Sequence, residues 1–126
     1  MNKKTGILLI NLGTPDSPSV KDVRKYLKEF LNDARVIDLP WLKRKLLVNL
    51  IIAPLRAPKS AKEYVKLFNL FGGESPLLKY SILLKDKLQA KTPKNYTVEL
   101  AMRYGNPSID SVLEKMRKDN YDKIII

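Results

Sequence analysis

Lys4-Thr5-Gly6-Ile7-Leu8-Leu9-Ile10-Asn11-Leu12-Gly13-Thr14-Pro15 is the segment that sets the architecture. Ile7 to Ile10 is a continuous apolar run with no alternation, the pattern of a strand covered on both faces in a parallel sheet. Gly13 and Pro15 then break regular structure, so a strand is placed at 5–12. In open α/β sheets ligands bind beyond the carboxyl ends of the strands, so Asn11 to Pro15 should form the rim of a pocket.

Downstream of this strand, Ser17 reads as a helix cap with Pro18 in the first turn. Val20, Val23, Leu27, Phe30 and Leu31 recur at three and four residues, giving a helix over 18–31. Arg35 to Leu39 is short and β-prone and reads as extended. Pro40 opens a helix over 40–53 in which Leu42, Leu46, Leu47, Leu50 and Ile51 share a face, and Pro54 ends it. Ser60 and Glu63 have the form of a capping box for a further helix over 60–71. Gly72-Gly73-Glu74-Ser75-Pro76 interrupts, and Ser75 and Pro76 begin a helix over 75–90. Tyr96 to Met102 alternates as a strand does, placed at 96–103. Asn106 or Ser108 caps a helix over 107–118, and a strand over 122–126 follows. Residues 96–126 have the size of one βαβ unit. The fold class is therefore α/β with a flavodoxin-like, doubly wound parallel sheet. Lys123-Ile124-Ile125-Ile126 begins a buried strand whose backbone should be paired, so the chain is expected to be a piece of a longer protein.

Composition narrows the chemistry. The 126 residues are 44% hydrophobic and 29% charged, enough for a core. No apolar run approaches the roughly 20 residues of a membrane span. Met1-Asn2-Lys3-Lys4 leads into no secretory signal, so a cytoplasmic location is expected. The chain has neither Cys nor His, which removes thiolate chemistry, the commonest metal ligand and the commonest general base near neutrality. A net charge of +11 favours anionic partners, although dispersed lysines also suit an ordinary solvated surface. Trp41 to Leu55 is apolar beyond the needs of a surface helix, with Lys43, Arg44 and Lys45 at its start, as in segments that touch a membrane surface.

Phosphate-loop, dinucleotide, zinc-protease and nucleophile-elbow motifs are all missing. What remains is a rim. Parallel strands present their carboxyl ends together, which brings Leu12 towards Met102, Arg103 and Tyr104. Ser75 precedes a helix N-terminus, a favourable place for an anion. Apolar Leu12 and Met102 beside polar Arg103, Tyr104 and Ser75 suggest a flat apolar ligand with an acidic edge. Each residue also suits a purely structural role: Leu12 and Met102 as core, Arg103 as an ion-pair partner, Ser75 as a cap.

These same segments resemble the N-terminal part of the ferrochelatase family, enzymes that insert ferrous iron into a porphyrin. The resemblance is carried, in order, by Gly6 to Pro15, Arg35-Val36-Ile37-Asp38, Pro58-Lys59-Ser60-Ala61-Lys62-Glu63-Tyr64, Gly73-Glu74-Ser75-Pro76-Leu77 and Arg103-Tyr104-Gly105-Asn106-Pro107. It implies the first, incomplete lobe of a two-lobed chelatase fold over 1–126, with a porphyrin cleft between the lobes. By this resemblance Leu12 faces the porphyrin plane, Arg56 and Tyr64 lie at the pocket lip, Ser75 belongs to the Gly-Gly-x-Ser-Pro loop, and Met102, Arg103 and Tyr104 flank the inner pocket. It makes Fe2+ and porphyrin the substrates, with no cofactor in this stretch. It makes the C-terminal lobe of the same chain a partner and 41–55 a peripheral membrane contact; no nucleic acid is expected.

The resemblance also carries a departure. The family gives proton acceptance and metal handling to a His and a Glu beyond this stretch, so residues 1–126 contain no catalytic or metal residue of that kind and are expected to be inactive alone. A His is expected in the loop after the strand at 122–126. An aliphatic Leu12 leans towards protoporphyrin IX rather than coproporphyrin. Another tetrapyrrole chelatase, of coproporphyrin or sirohydrochlorin type, is the nearest alternative. A flavodoxin-like binding module is a second, though Asn11 to Pro15 offers no acidic cluster or phosphate cradle. A basic nucleic-acid or membrane-surface protein is a third.

Overall fold

The computed structural model describes residues 3–126. Met1 and Asn2, which open the segment read as lacking a secretory signal, lie outside the described residues. In chain order the elements are β1 (Thr5–Thr14), α1 (Val20–Leu31), α2 (Trp41–Leu47), a π-helical turn (Val48–Ile52), α3 (Ala53–Leu70), α4 (Pro76–Lys91), β2 (Tyr96–Gly105), α5 (Ile109–Lys118) and β3 (Lys123–Ile125). They form two compact units, one of residues 3–13 with Leu77–Ile126, the other of Thr14–Pro76.

The first unit is an α/β layer of the flavodoxin-like kind. Its sheet has the order β2-β1-β3. β3 runs parallel to β1, with Thr5 opposite Lys123 and Ile7 opposite Ile125. β2 is parallel as well, because both ends match. At the start, the Thr5 N–H donates to the Asn95 carbonyl at 2.9 Å. At the far end, Gly13 lies against the Tyr104 carbonyl. The sheet is wound on both faces. Leu8 packs with Ala101, Val112 and Met116, which puts α5 on its side. Asn11, three residues on and therefore on the opposite face, donates to Ser81 of α4 at 3.1 Å. Gln89 of α4 blunts the outer edge of β2: its Nε2 donates to the Tyr96 carbonyl at 2.9 Å and its Oε1 accepts from the Val98 N–H at 2.7 Å.

The second unit is helical. Val23, Leu27 and Leu31 of α1 pack on Val48, Ala53, Ala57 and Ala61. The alanines recur every four residues, so α3 offers a shallow stripe that lets the two helices approach closely. Arg44 is buried, and its Nη1 donates to the Leu39 carbonyl at 2.6 Å.

Several local expectations need correction. The first helix begins at Val20, not 18: Ser19 is the cap, accepting from the Asp22 N–H at 3.2 Å, while the Ser17 hydroxyl is taken up by the Asp22 carboxylate at 2.7 Å. Residues 35–39 are not extended. The Asp33 carbonyl accepts from the Val36 and Ile37 N–H groups at 2.9 and 3.1 Å, and its side chain accepts from the Arg35 N–H at 2.9 Å, so the segment turns back on itself. The helices expected at 40–53 and 60–71 are one continuous helical run from Trp41 to Leu70. A π turn directly before Pro54 widens the backbone where that ring would otherwise clash, and Pro58 is carried inside α3. Ser60 therefore caps nothing, and Glu63 pairs with Lys66 at 3.1 Å instead. Of the two cap candidates for the 107–118 helix, Ser108 is the one used, and the helix starts at Ile109.

Burial also differs. β1 is covered over Thr5 to Leu9 but open over Ile10, Asn11 and Leu12. β3 is exposed along its length, paired with β1 alone among the described residues. The Leu42, Leu46, Leu50 and Ile51 face of the second unit is exposed, on the contact-surface side of what its sequence allows. The remaining differences, such as strands over Thr5–Thr14 and Tyr96–Gly105 against 5–12 and 96–103, are the one or two residues by which element ends commonly vary.

Candidate functional site

The first unit builds its site where β1 and β2 end. Gly13 has φ +121°, a conformation open to glycine, and any Cβ there would overlap the Tyr104 carbonyl. This fixes the two strand ends against each other. Leu12 and Arg103 flank that contact, one residue back on each strand. Leu12 is 50% exposed, an apolar side chain at a strand tip. Its position is fixed by Asn11, whose Oδ1 accepts from the Leu12 N–H at 2.8 Å while its amide donates to Ser81. Ser81 is held in turn by donating to the Leu77 carbonyl at 2.7 Å.

Of the three β2 candidates only Arg103 is at the surface. Its guanidinium carbon sits 4.9 Å from the centre of the Tyr104 ring, a cation–π contact. Met102 is fully buried and Tyr104 nearly so. Ala101 on the other face is buried too, so β2 is covered on both faces as far as Met102 and comes to the surface only at Arg103. Met102 and Tyr104 shape the tip from beneath.

The second unit holds Arg56, Tyr64 and Ser75. Arg56 lies with Lys59, Ser60 and Glu63 around an open groove of ≈ 300 Å³ on α3. Tyr64 is eight residues further along the same helix, turned by about 80° from Arg56. It packs against the α1–α3 core and edge-on to Phe68, with ring centres 6.4 Å apart. Burial pushes its phenol above the ordinary 10.0, so it is a neutral hydrogen-bonding group at physiological pH. Ser75 is buried and donates to the Thr14 hydroxyl at 2.9 Å, tying the glycine loop to the last residue of β1. The structure thus brings Leu12, Arg103 and Tyr104 together in one unit, and sets Arg56, Tyr64 and Ser75 in the other.

A family model described as Ferrochelatase matches residues 4–126. The chain belongs to the ferrochelatase family. It is 46% identical over 125 residues to a protein named Ferrochelatase from Coxiella burnetii (strain Dugway 5J108-111), covering 99% of this chain and 35% of the relative. It is 47% identical over 123 residues to one of the same name from Francisella tularensis subsp. holarctica (strain FTNF002-00 / FTA), covering 98% of this chain and 37% of the relative. The chain therefore spans little more than a third of the length of these curated relatives.

Within this ferrochelatase stretch, no group of three or more His, Cys, Asp or Glu side chains is placed to hold a metal ion among the described residues. Each unit offers binding groups of its own: an apolar tip and a cation at Leu12 and Arg103 in the first, and the cations Arg56 and Lys59 with a neutral phenol at Tyr64 in the second. Two hydroxyls anchor site residues, Thr14 holding Ser75 and Ser81 holding Asn11; the sequence places Thr14 in the rim but does not show its bond to Ser75. Ser81 has a signal of its own, being a small polar residue inside an apolar helix. Lys59 and Ser60, part of the family resemblance and, for Ser60, of the capping-box pattern, lie instead beside Arg56 on the same groove.

Proposed function

We propose that the full-length protein inserts Fe2+ into protoporphyrin IX, the closing metalation of haem synthesis, and that residues 1–126 supply one wall of its porphyrin pocket. The observation that carries this reading is family membership together with an apolar Leu12 held open at the tip of β1. In the reaction four iron–nitrogen bonds form, two pyrrole N–H bonds break and two protons leave, with no change of oxidation state. The residues of this stretch handle binding and not proton transfer. Leu12 offers a surface for one face of the macrocycle, where apolar contact contributes about 25 cal/mol per Å² removed from water. Arg56, Lys59 and Arg103 suit the propionate carboxylates. Tyr64 and Ser75 serve the lip and the loop beside it. Proton acceptance and metal delivery are assigned to the remainder of the chain, the C-terminal lobe that completes the pocket, and residues 1–126 alone are inactive.

In this reading the protein works in the cytoplasm and touches a membrane surface through 41–55. Trp41, Leu42, Leu46, Leu50 and Leu55 are exposed there beside Lys43 and Lys45, the mixture that favours an anionic lipid interface. Among the described residues no helix is long and apolar enough to cross a membrane.

The test is an absorbance assay of the full-length protein with Fe2+ and three tetrapyrroles. Iron should enter protoporphyrin IX fastest. Faster metalation of coproporphyrin III or sirohydrochlorin would move the substrate assignment, and no metalation of any of them would end it.

A further inference from the structure

The first unit carries a second concavity, away from the strand tips. It is a groove of ≈ 380 Å³ along the outer edge of β2, walled by α4 and α5 on either side. Its walls are apolar: Leu78 and Ile82 from α4, Leu100 from β2, Val112 from α5. Its rim is ionic, with Lys85, Lys115 and Glu99.

The backbone at the floor of this groove is what distinguishes it. In a strand, alternate residues turn their N–H and C=O groups to the same edge. Asn95 turns inward, bonding Thr5 of β1. The even residues therefore turn outward, and three of them show it. Tyr96 and Val98 are held by the Gln89 side chain at 2.9 and 2.7 Å. The Met102 N–H donates to the Pro107 carbonyl at 2.6 Å. Leu100 has the same phase and lies between these two closures. Its N–H and C=O face the groove, and no hydrogen bond from the described residues closes that gap. A donor and an acceptor on one extended residue are the complement of another extended peptide, the basis of strand addition at a sheet edge.

We propose that this groove docks a short extended peptide segment carrying one apolar residue flanked by acidic ones. The segment pairs with Leu100 through its backbone and seats its apolar side chain between Ile82 and Val112. The charge follows from the rim. Glu99 is already matched by Lys115 at 2.7 Å, whereas Lys85 has only a long contact of 3.8 Å to Asp86. The rim therefore presents one cation in excess, and an acidic neighbour completes it. The Gln89 clamp and the Pro107 bond limit pairing to this window, so the edge accepts a single short segment and not a growing sheet.

The test uses full-length protein labelled with ¹⁵N-leucine, with the Leu100 amide signal assigned by its loss in Leu100→Met. N-acetyl-Glu-Leu-Glu-amide is titrated in, with N-acetyl-Lys-Leu-Lys-amide as the control. The acidic peptide should shift the Leu100 amide saturably and bind several-fold more tightly than the basic one. Lys85→Glu should reverse that preference while iron insertion stays unchanged. No saturable shift at Leu100, or equal binding of the two peptides, overturns the proposal. So does a Leu100 amide already protected from hydrogen exchange before peptide is added, since the edge would then be covered by the protein's own chain.

Discussion

The two units build their cores from apolar residues of different size. In the sheet unit, Leu8, Val98, Leu100, Met102 and Met116 are buried, and the most exposed apolar residue of β1 is Leu12, at the end of the strand. In the helical unit the closest helix contact is made by alanines, while Trp41, Leu42, Leu50 and Leu55 stand more than half exposed. The sheet unit packs Met116 and Leu8 on Val112 and Ala101, whereas the helical unit seats Val23, Leu27 and Leu31 against a stripe of alanines, and both leave large apolar residues such as Leu84 and Leu50 exposed. A hydrophobic sequence is therefore no guide to which unit is the more self-contained.

The sheet unit is most vulnerable at Gly13. Gly13→Val puts a Cβ onto the Tyr104 carbonyl and a β-branched residue at positive φ. It should cost about 3 kcal/mol or more in denaturant unfolding of the full-length protein. A small loss would mean that the strand ends are not fixed as described. In the helical unit the corresponding weak point is the alanine stripe. Ala57 is completely buried, and Ala57→Leu should cost about 1–3 kcal/mol by forcing α1 and α3 apart.

Alkaline pH probes the helical unit at Tyr64. The folded-state pKa of Tyr64 is raised by burial above 10.0. The unfolded chain then loses the phenol proton first, so this contribution to stability is intact below pH 10.0 and is lost as pH climbs through the folded value. Tyr64→Phe should abolish that part of the alkaline loss. The smallest effect is expected on the outward face. Leu50 is 69% exposed, so Leu50→Ser should change unfolding free energy by less than about 0.5 kcal/mol, while it weakens adsorption to anionic vesicles. A core-sized loss at Leu50 would show that its side chain is covered in the whole protein.

What the sequence makes legible depends on the kind of signal. β1 is legible because an unbroken apolar run that ends in Gly and Pro is too short for a helix and too apolar for a loop. The α1 stripe is legible from its period. Period alone does not say what a face packs against, so the shared face of Leu42, Leu46, Leu50 and Ile51 does not by itself tell core from contact surface. Pro54 reads as a helix end, but the π turn that absorbs it is a backbone adjustment with no side-chain signature. Residues 35–39 look β-prone, yet Asp33 captures their N–H groups locally. At the site, Leu12 and Arg103 are legible as strand-tip residues. The sequence leaves Met102 open between core and rim, and the burial of Tyr104 is not legible, because both depend on how far along β2 the cover on its two faces reaches.

The decisive measurement is the affinity of the full-length protein for protoporphyrin IX, followed by fluorescence quenching for the parent protein and for Leu12→Asp. If Leu12 faces the macrocycle, binding should weaken about tenfold or more, equivalent to ~1.4 kcal/mol, with an unchanged unfolding midpoint. Equal affinity for the two proteins would mean that the tip of β1 does not touch the porphyrin, and the pocket-wall assignment would fail.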